Sequence, residues 1–234
     1  MPELLLIDKP KGITSFDVIR RVRKQIGIKK IGHAGTLDPL ATGLMILGVG
    51  PGTKKLTELI KLDKDYSAEI LIGESRTTGD LEGAVIESVT NVEIDPAKIL
   101  VAVSSLVGTI SLPVSAYSAI KKDGVPMYKR ARAAEKIGEV ITDVPVRDMV
   151  VTKAIVDNIE VVFADKTMQT ISRLIVTVSF SVGSGTYIRS LAEELGRRLG
   201  YPATLANLRR TRVGEFRIED AQLIEDLKPE TTTL

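Results

Sequence analysis

Two long alternating runs constrain this chain more than any other feature. Ala154 to Phe163 and Ile171 to Val182 carry apolar side chains at about every second position, and they flank a polar turn around Asp165 and Lys166. A period of two suits a strand with one face buried, and two such strands joined by a short polar connection form a β-hairpin. Tyr66, Ala68, Ile70 and Ile72 alternate with Ser67, Glu69 and Leu71 in the same manner. Leu4 to Ile7 and Leu44 to Leu47 are short apolar runs of the kind found in buried strands.

Helical signals interrupt these strands. Phe16, Ile19, Val22 and Ile26 recur at helical spacing, and Gly27 ends the run. Ser15 stands where a cap is needed, with Asp17 in the first turn favouring the positive end of the dipole. Asp95-Pro96 is a cap followed by a proline at the first helical position, predicting a helix that runs to Gly108. Met127 to Ile137 reads as helical and basic, and a further helix is expected from about Tyr187 to Leu199, stopped by Gly200. The elements follow no regular βαβ period, so the expected class is α+β with a mixed sheet. At 234 residues the chain fits one large domain or two small ones, and no internal repeat or linker divides it.

Composition removes several chemistries. With zero cysteines and one histidine, neither a disulfide nor a thiolate or histidine metal site is expected. No apolar run reaches the ~18 residues of a membrane span, and the N-terminus lacks the basic region of a signal peptide. A soluble, cytoplasmic, metal-free protein without cofactors is the expectation. The net charge of +2 is small, but its distribution is uneven. Basic residues crowd 9–30, 121–136 and 197–212, whereas acidic residues concentrate elsewhere. Such segregation permits one basic face, and solvated helix surfaces are the plainer alternative.

Three loops next to apolar runs hold chemistry-bearing residues. In Gly32 to Gly43, Pro39 holds the backbone of Asp38 extended, so Asp38 is a candidate catalytic carboxylate or simply part of an Asp-Pro turn. His33, the sole histidine, is either functional or a hydrogen-bonded structural residue. In Lys64-Asp65-Tyr66, the tyrosine at a strand mouth can stack on a base or pack in the core. In Gly183 to Ser190, a strand leads into a helix whose N-terminus favours anions. Arg189 in that first turn is poorly placed against the dipole, which calls for a carboxylate partner or a surface salt bridge. No GxGxxG, P-loop, metal constellation or GxSxG elbow is present.

Read together, the segments resemble the bacterial tRNA pseudouridine synthase B (TruB) family. The resemblance is carried by Lys9-Pro10-Lys11-Gly12-Ile13-Thr14-Ser15, by Gly32-His33 through Leu37-Asp38-Pro39 and Ala41-Thr42-Gly43, by Lys64-Asp65-Tyr66, by Tyr117-Ser118-Ala119-Ile120-Lys121 with Gly124 and Tyr128, and by Gly185 to Leu191. It covers the chain from Leu5 to about Ile218. It implies a mixed, mostly antiparallel central sheet with helices on its faces and a cleft across it. It also implies a catalytic domain, expected here as a single domain over 1–234 with an RNA-binding insertion at 113–140. Bacterial members usually continue into a C-terminal RNA-binding PUA domain, and the expectation for this chain departs from them in having none. The implied activity is isomerisation of the T-loop uridine at position 55 of tRNA, by a monomer without guide RNA.

The implied roles are specific. Asp38 is the essential aspartate, Tyr66 stacks under the flipped uracil, and Arg189 pairs with Asp38. His33 holds everted nucleotides, and Lys9 and Pro10 support the loop. Lys9, Tyr187, Lys121, Lys122, Tyr128, Arg130, Arg209 and Arg210 are the expected RNA contacts. One departure stands out: Val114 and Ser115 occupy positions where the family usually has two prolines. Two other readings are a guide-RNA-dependent synthase and a non-catalytic RNA-binding or chaperone protein on the same fold. The Tyr117-Ser118-Ala119 segment argues against the first, and an intact Asp38, Tyr66 and Arg189 set against the second.

Overall fold

The computed structural model describes residues 2–89, 91–139, 141–163 and 172–228. The chain forms two compact units, 1–67 with 208–234 and 68–207. The backbone passes from the first to the second within one strand and returns within another. In chain order the elements are β1 (Leu4–Lys9), α1 (Ser15–Ile26), β2 (Ile31–His33), β3 (Thr42–Val49), α2 (Leu56–Leu59) and β4 (Lys64–Ile72). They continue with β5 (Glu74–Arg76), β6 (Val85–Ser88), α3 (Pro96–Ser104), β7 (Gly108–Pro113), β8 (Lys121–Lys122), β9 (Val125–Pro126) and α4 (Met127–Glu135). Last come β10 (Val146–Phe163), β11 (Ser172–Val182), α5 (Ile188–Leu199), β12 (Ala203–Val213) and β13 (Phe216–Arg217).

In the first unit β3 is the central strand. It pairs antiparallel with β1 and β2 and parallel with β12 at Thr42 and Gly43. Its apolar run is continuous because both faces are covered. Met45, Leu47 and Val49 pack with Leu5, Ile7 and the Val18, Ile19, Val22 and Ile26 stripe of α1. Leu44 and Ile46 pack the other way, with Leu56 and Val213.

The start of α1 differs from the sequence expectation. Thr14, not Ser15, is the N-cap, in a capping box with Asp17. Phe16 is 61% exposed and lies off the stripe, which Val18 joins instead. Gly27 ends the helix in the left-handed conformation, at φ 76°.

The second unit is built on the expected hairpin. β10 and β11 pair antiparallel from Val151–Val182 to Phe163–Ser172, and β7 adds to the start of β10. Asp165, Lys166 and Ile171 lie outside the described residues. Leu174, Val176, Val178, Phe180 and Val182 alternate inward along β11. α3 and α5 supply Ile99, Val103, Leu191 and Leu195 to the buried set. α3 is capped by Asp95 as expected but stops at Ser104, short of Gly108, because the chain there re-enters a strand. α4 likewise ends before Ile137. The sheet pairing is mostly antiparallel, in the α+β class expected.

Candidate active site

The loop from Ala34 to Ala41 leaves the sheet after His33 and rejoins it at Thr42, anchored at its start by Ala34 N–H donating to Ile46 O at 2.9 Å. Asp38-Pro39-Leu40-Ala41 is a β-turn closed by Ala41 N–H donating to Asp38 O at 3.0 Å, with proline in the position that suits its fixed φ. Donors from neighbouring segments hold the turn. The Lys9 ammonium, 0% exposed, donates to Ala41 O at 2.6 Å and Pro39 O at 3.4 Å. Gly12 N–H donates to Pro39 O at 2.8 Å. The Ser15 hydroxyl donates to Leu37 O and accepts from Leu37 N–H, both at 2.9 Å. Leu37, Leu40 and Ala41 are buried and Asp38 is half-buried. A carboxylate is thus mounted on a backbone with little freedom to move.

Behind the loop lies Arg210, 1% exposed. Its guanidinium donates to Leu44 O at 2.8 Å and Gly35 O at 3.2 Å. Arg210 therefore braces the loop from inside instead of offering its charge to RNA, a correction to the sequence expectation. The strand pairing that places it requires Gly43, where φ is +102° and a Cβ would lie 2.3 Å from Arg210 O.

His33 sits half-buried beside this arginine. Burial, and then the Arg210 charge, hold its pKa below the ordinary 6.5, against a hydrogen bond with the Gly35 backbone. The ring is neutral at physiological pH, and its buried Nδ1 finds no hydrogen-bond partner among the described residues.

Tyr66 lies on β4, 8% exposed, on the buried face shared with Lys64 and Ala68. Arg209 is partly exposed and forms a two-pronged pair with Asp8, at 2.7 and 3.1 Å. Lys9, expected as an RNA contact as well as a loop support, has its amine inside and fits only the second role.

In the second unit, Tyr187 is the N-cap of α5 and Arg189 falls in its first turn, as expected. Arg189 is buried, with its guanidinium 3.6 Å from Asp80 and donating to Thr78 O at 2.9 Å. The carboxylate partner demanded by the dipole argument is therefore met by Asp80, which the sequence did not single out. Asp80 is itself fixed, because Glu82 N–H donates to its carboxylate at 3.1 Å and Gly79 O accepts from Leu205 N–H of β12 at 3.0 Å. Burial raises the Glu193 carboxyl above its usual range, opposed by Arg189 and reinforced by Asp80.

The expected RNA contacts of 121–130 lie together around α4. Lys121 is exposed, Lys122 pairs with Asp143, and Arg130 lies 3.3 Å from Asp123. The ring of Tyr128 receives Arg132 at 5.8 Å, a cation–π distance.

Comparison with known proteins decides the family. The TruB family pseudouridylate synthase (N terminal domain) profile matches residues 23–188, and the tRNA pseudouridylate synthase B C-terminal domain profile matches 189–232. The chain belongs to the TruB family. The tRNA pseudouridine synthase B of Thermobifida fusca is 40% identical over 99% of this chain and 76% of its own length. That of Corynebacterium efficiens is 43% identical over 96% and 71%. As a TruB-family member the chain is a tRNA pseudouridine synthase, an isomerase acting on transfer RNA.

Solved structures agree on the fold. A chain of an H/ACA RNP bound to a substrate RNA containing 2'-deoxyuridine superposes with a TM-score of 0.63 at 24% identity, covering 96% of this chain and 51% of that one. A chain of a Cbf5-Nop10-Gar1 complex gives 0.64 at 24% identity, covering 96% and 53%. The chain thus spans about half the length of those neighbours.

Proposed function

We propose that this enzyme isomerises the uridine at position 55, in the T loop of tRNA, by everting the base and using Asp38 to break and re-form the glycosidic bond. The observation that carries the reading is the braced Asp38 turn. A loop held from Lys9, Gly12, Ser15 and Arg210 fixes one half-buried carboxylate.

A uracil inside a folded loop cannot be reached in place, so it must be extruded at a cost of a few kcal/mol. Detaching it from C1′, turning it and rejoining it through C5 consumes no oxidant or reductant. Asp38 acts on the reacting sugar or base in its ionised form. By its motif, Arg189 is the arginine that assists this carboxylate. Tyr66 offers a ring for the everted uracil to stack on. His33, a neutral and half-buried ring, is suited to hold an everted base. Tyr187, Lys121, Lys122, Tyr128, Arg130 and Arg209 contribute RNA contacts, the middle four within an RNA-binding segment at 113–140. The enzyme works as a monomer, in the cytoplasm and without guide RNA.

The test is carbodiimide mapping of pseudouridine in a bare T stem-loop transcript incubated with pure protein. A single modified position at the T-loop uridine is expected. Modification that requires a guide RNA, or that falls at other uridines only, contradicts the reading.

A further inference from the structure

The start of β4 is fixed from both of its faces in a way that the roles above do not use. Lys64 shares the buried face with Tyr66 and is 6% exposed. Lysines normally carry the ammonium out to water along an apolar stem. Here the ammonium stays inside and donates to Ile60 O and Leu62 O, each at 2.5 Å, the carbonyls that follow α2. Burial and then the charge of Arg210 bring its pKa down to about 8, against the pull of Asp63, so the amine is still mostly charged at neutral pH. A buried ammonium costs free energy that a methionine of similar length would not. If the strand needed only apolar filling here, the amine would be a pure liability.

The other face is held as firmly. Asp65 accepts two hydrogen bonds from Arg212, at 2.5 and 2.8 Å, in the two-pronged geometry peculiar to arginine. Arg212 also donates to Gly214 O at 2.6 Å, and Gly214 N–H donates to Asp63 O at 2.9 Å. Gly214 turns β12 into β13 at φ +56°, where a Cβ would meet Leu62 Cδ1 at 2.5 Å. Three consecutive residues, 63 to 65, are thus tied down immediately before Tyr66.

We propose that Lys64, with the Asp65–Arg212 pair, forms a clamp that fixes the ring of Tyr66, making these three positioning residues for the isomerisation. The proposal rests on the reading of Tyr66 as the stacking platform. Once base eversion has exposed a uracil to that ring, a shift of an ångström in the platform misplaces the reacting atoms. The clamp therefore acts on the chemical step rather than on RNA affinity.

The test is a double-variant cycle of Lys64→Met and Tyr66→Leu, read as the single-turnover rate on saturating unmodified tRNA transcript. RNA affinity and thermal midpoint are measured alongside. Lys64→Met is expected to slow turnover tenfold or more while changing affinity less than threefold. In the Tyr66→Leu background it should slow turnover less than twofold further, because the platform it positions is already gone. Effects that multiply in the double variant, or a Lys64→Met rate equal to that of the wild type, overturn the clamp while leaving the Tyr66 assignment intact. A Tyr66→Leu enzyme of undiminished rate overturns both. Should Lys64→Met fail to fold, Arg212→Lys enters the same cycle. A loss of threefold or more that vanishes in the Tyr66→Leu background supports the clamp, and a multiplicative or absent effect refutes it.

Discussion

The hydroxyl of Ser15 holds both backbone polar groups of Leu37, donating to its carbonyl and accepting from its amide at 2.9 Å each. Leu37 immediately precedes Asp38, so the first turn of α1 fixes the backbone that carries the carboxylate. Ser15→Ala removes both bonds and leaves a buried N–H and C=O unpaired. A loss of about 1–3 kcal/mol in stability is expected, with turnover reduced roughly tenfold at unchanged RNA affinity. Urea unfolding and single-turnover kinetics check the two parts. Unaltered turnover with lowered stability would show that the loop does not need this brace.

Asp80 answers the charge of Arg189 in the second unit at 3.6 Å. Neutralising one partner of a buried pair is destabilising, by up to about 3–5 kcal/mol. Asp80→Asn keeps the shape and is expected to lower both the thermal midpoint and the turnover rate, the latter at least tenfold. Arg189→Lys should slow turnover as well, since an ammonium does not reproduce a guanidinium's planar fork. Measured at saturating RNA, a defect confined to binding would assign Arg189 to a phosphate instead.

Much of this arrangement is legible in the sequence. The β10–β11 hairpin, the α1 stripe and the Asp95-Pro96 helix start follow from periodicity and capping. The roles of Asp38, Tyr66 and Arg189 came from motif resemblance, not from spacing. What stayed hidden depends on contacts between residues far apart in the chain. Ser15 looks like a cap because Thr14 before it is an equally good one, and only the fold reveals that Ser15 faces Leu37. Arg210 looks like an RNA contact because it sits in a basic run on β12. Strand alternation turns it inward, whereas its neighbour Arg209 points the other way and meets Asp8. Asp80 carries no local signal, since the need it meets arises on α5.

His33 gives stability a pH dependence with a definite sign. Its pKa is depressed in the folded protein, so between that value and 6.5 the unfolded chain binds a proton that the folded one does not. Its contribution is therefore fully present above pH 6.5 and is lost as the pH falls below it. Thermal midpoints of wild type and His33→Gln, taken between pH 7.5 and 5, should show the wild type losing more over that range. Parallel curves would mean that the ring titrates alike in both states.

The central claim is that Asp38 does the chemistry and that the rest of its loop exists to hold it. Asp38→Asn changes one oxygen to an amide nitrogen on a turn whose backbone bonds are all retained. The most direct measurement is the single-turnover rate of pseudouridine formation in a saturating T stem-loop transcript, wild type against Asp38→Asn, with RNA affinity and thermal midpoint taken on the same samples. The account predicts a rate lower by at least a thousandfold, or about 4 kcal/mol in transition-state stabilisation, with affinity within threefold and an unchanged midpoint. A rate within tenfold of wild type, at equal affinity and stability, would contradict it.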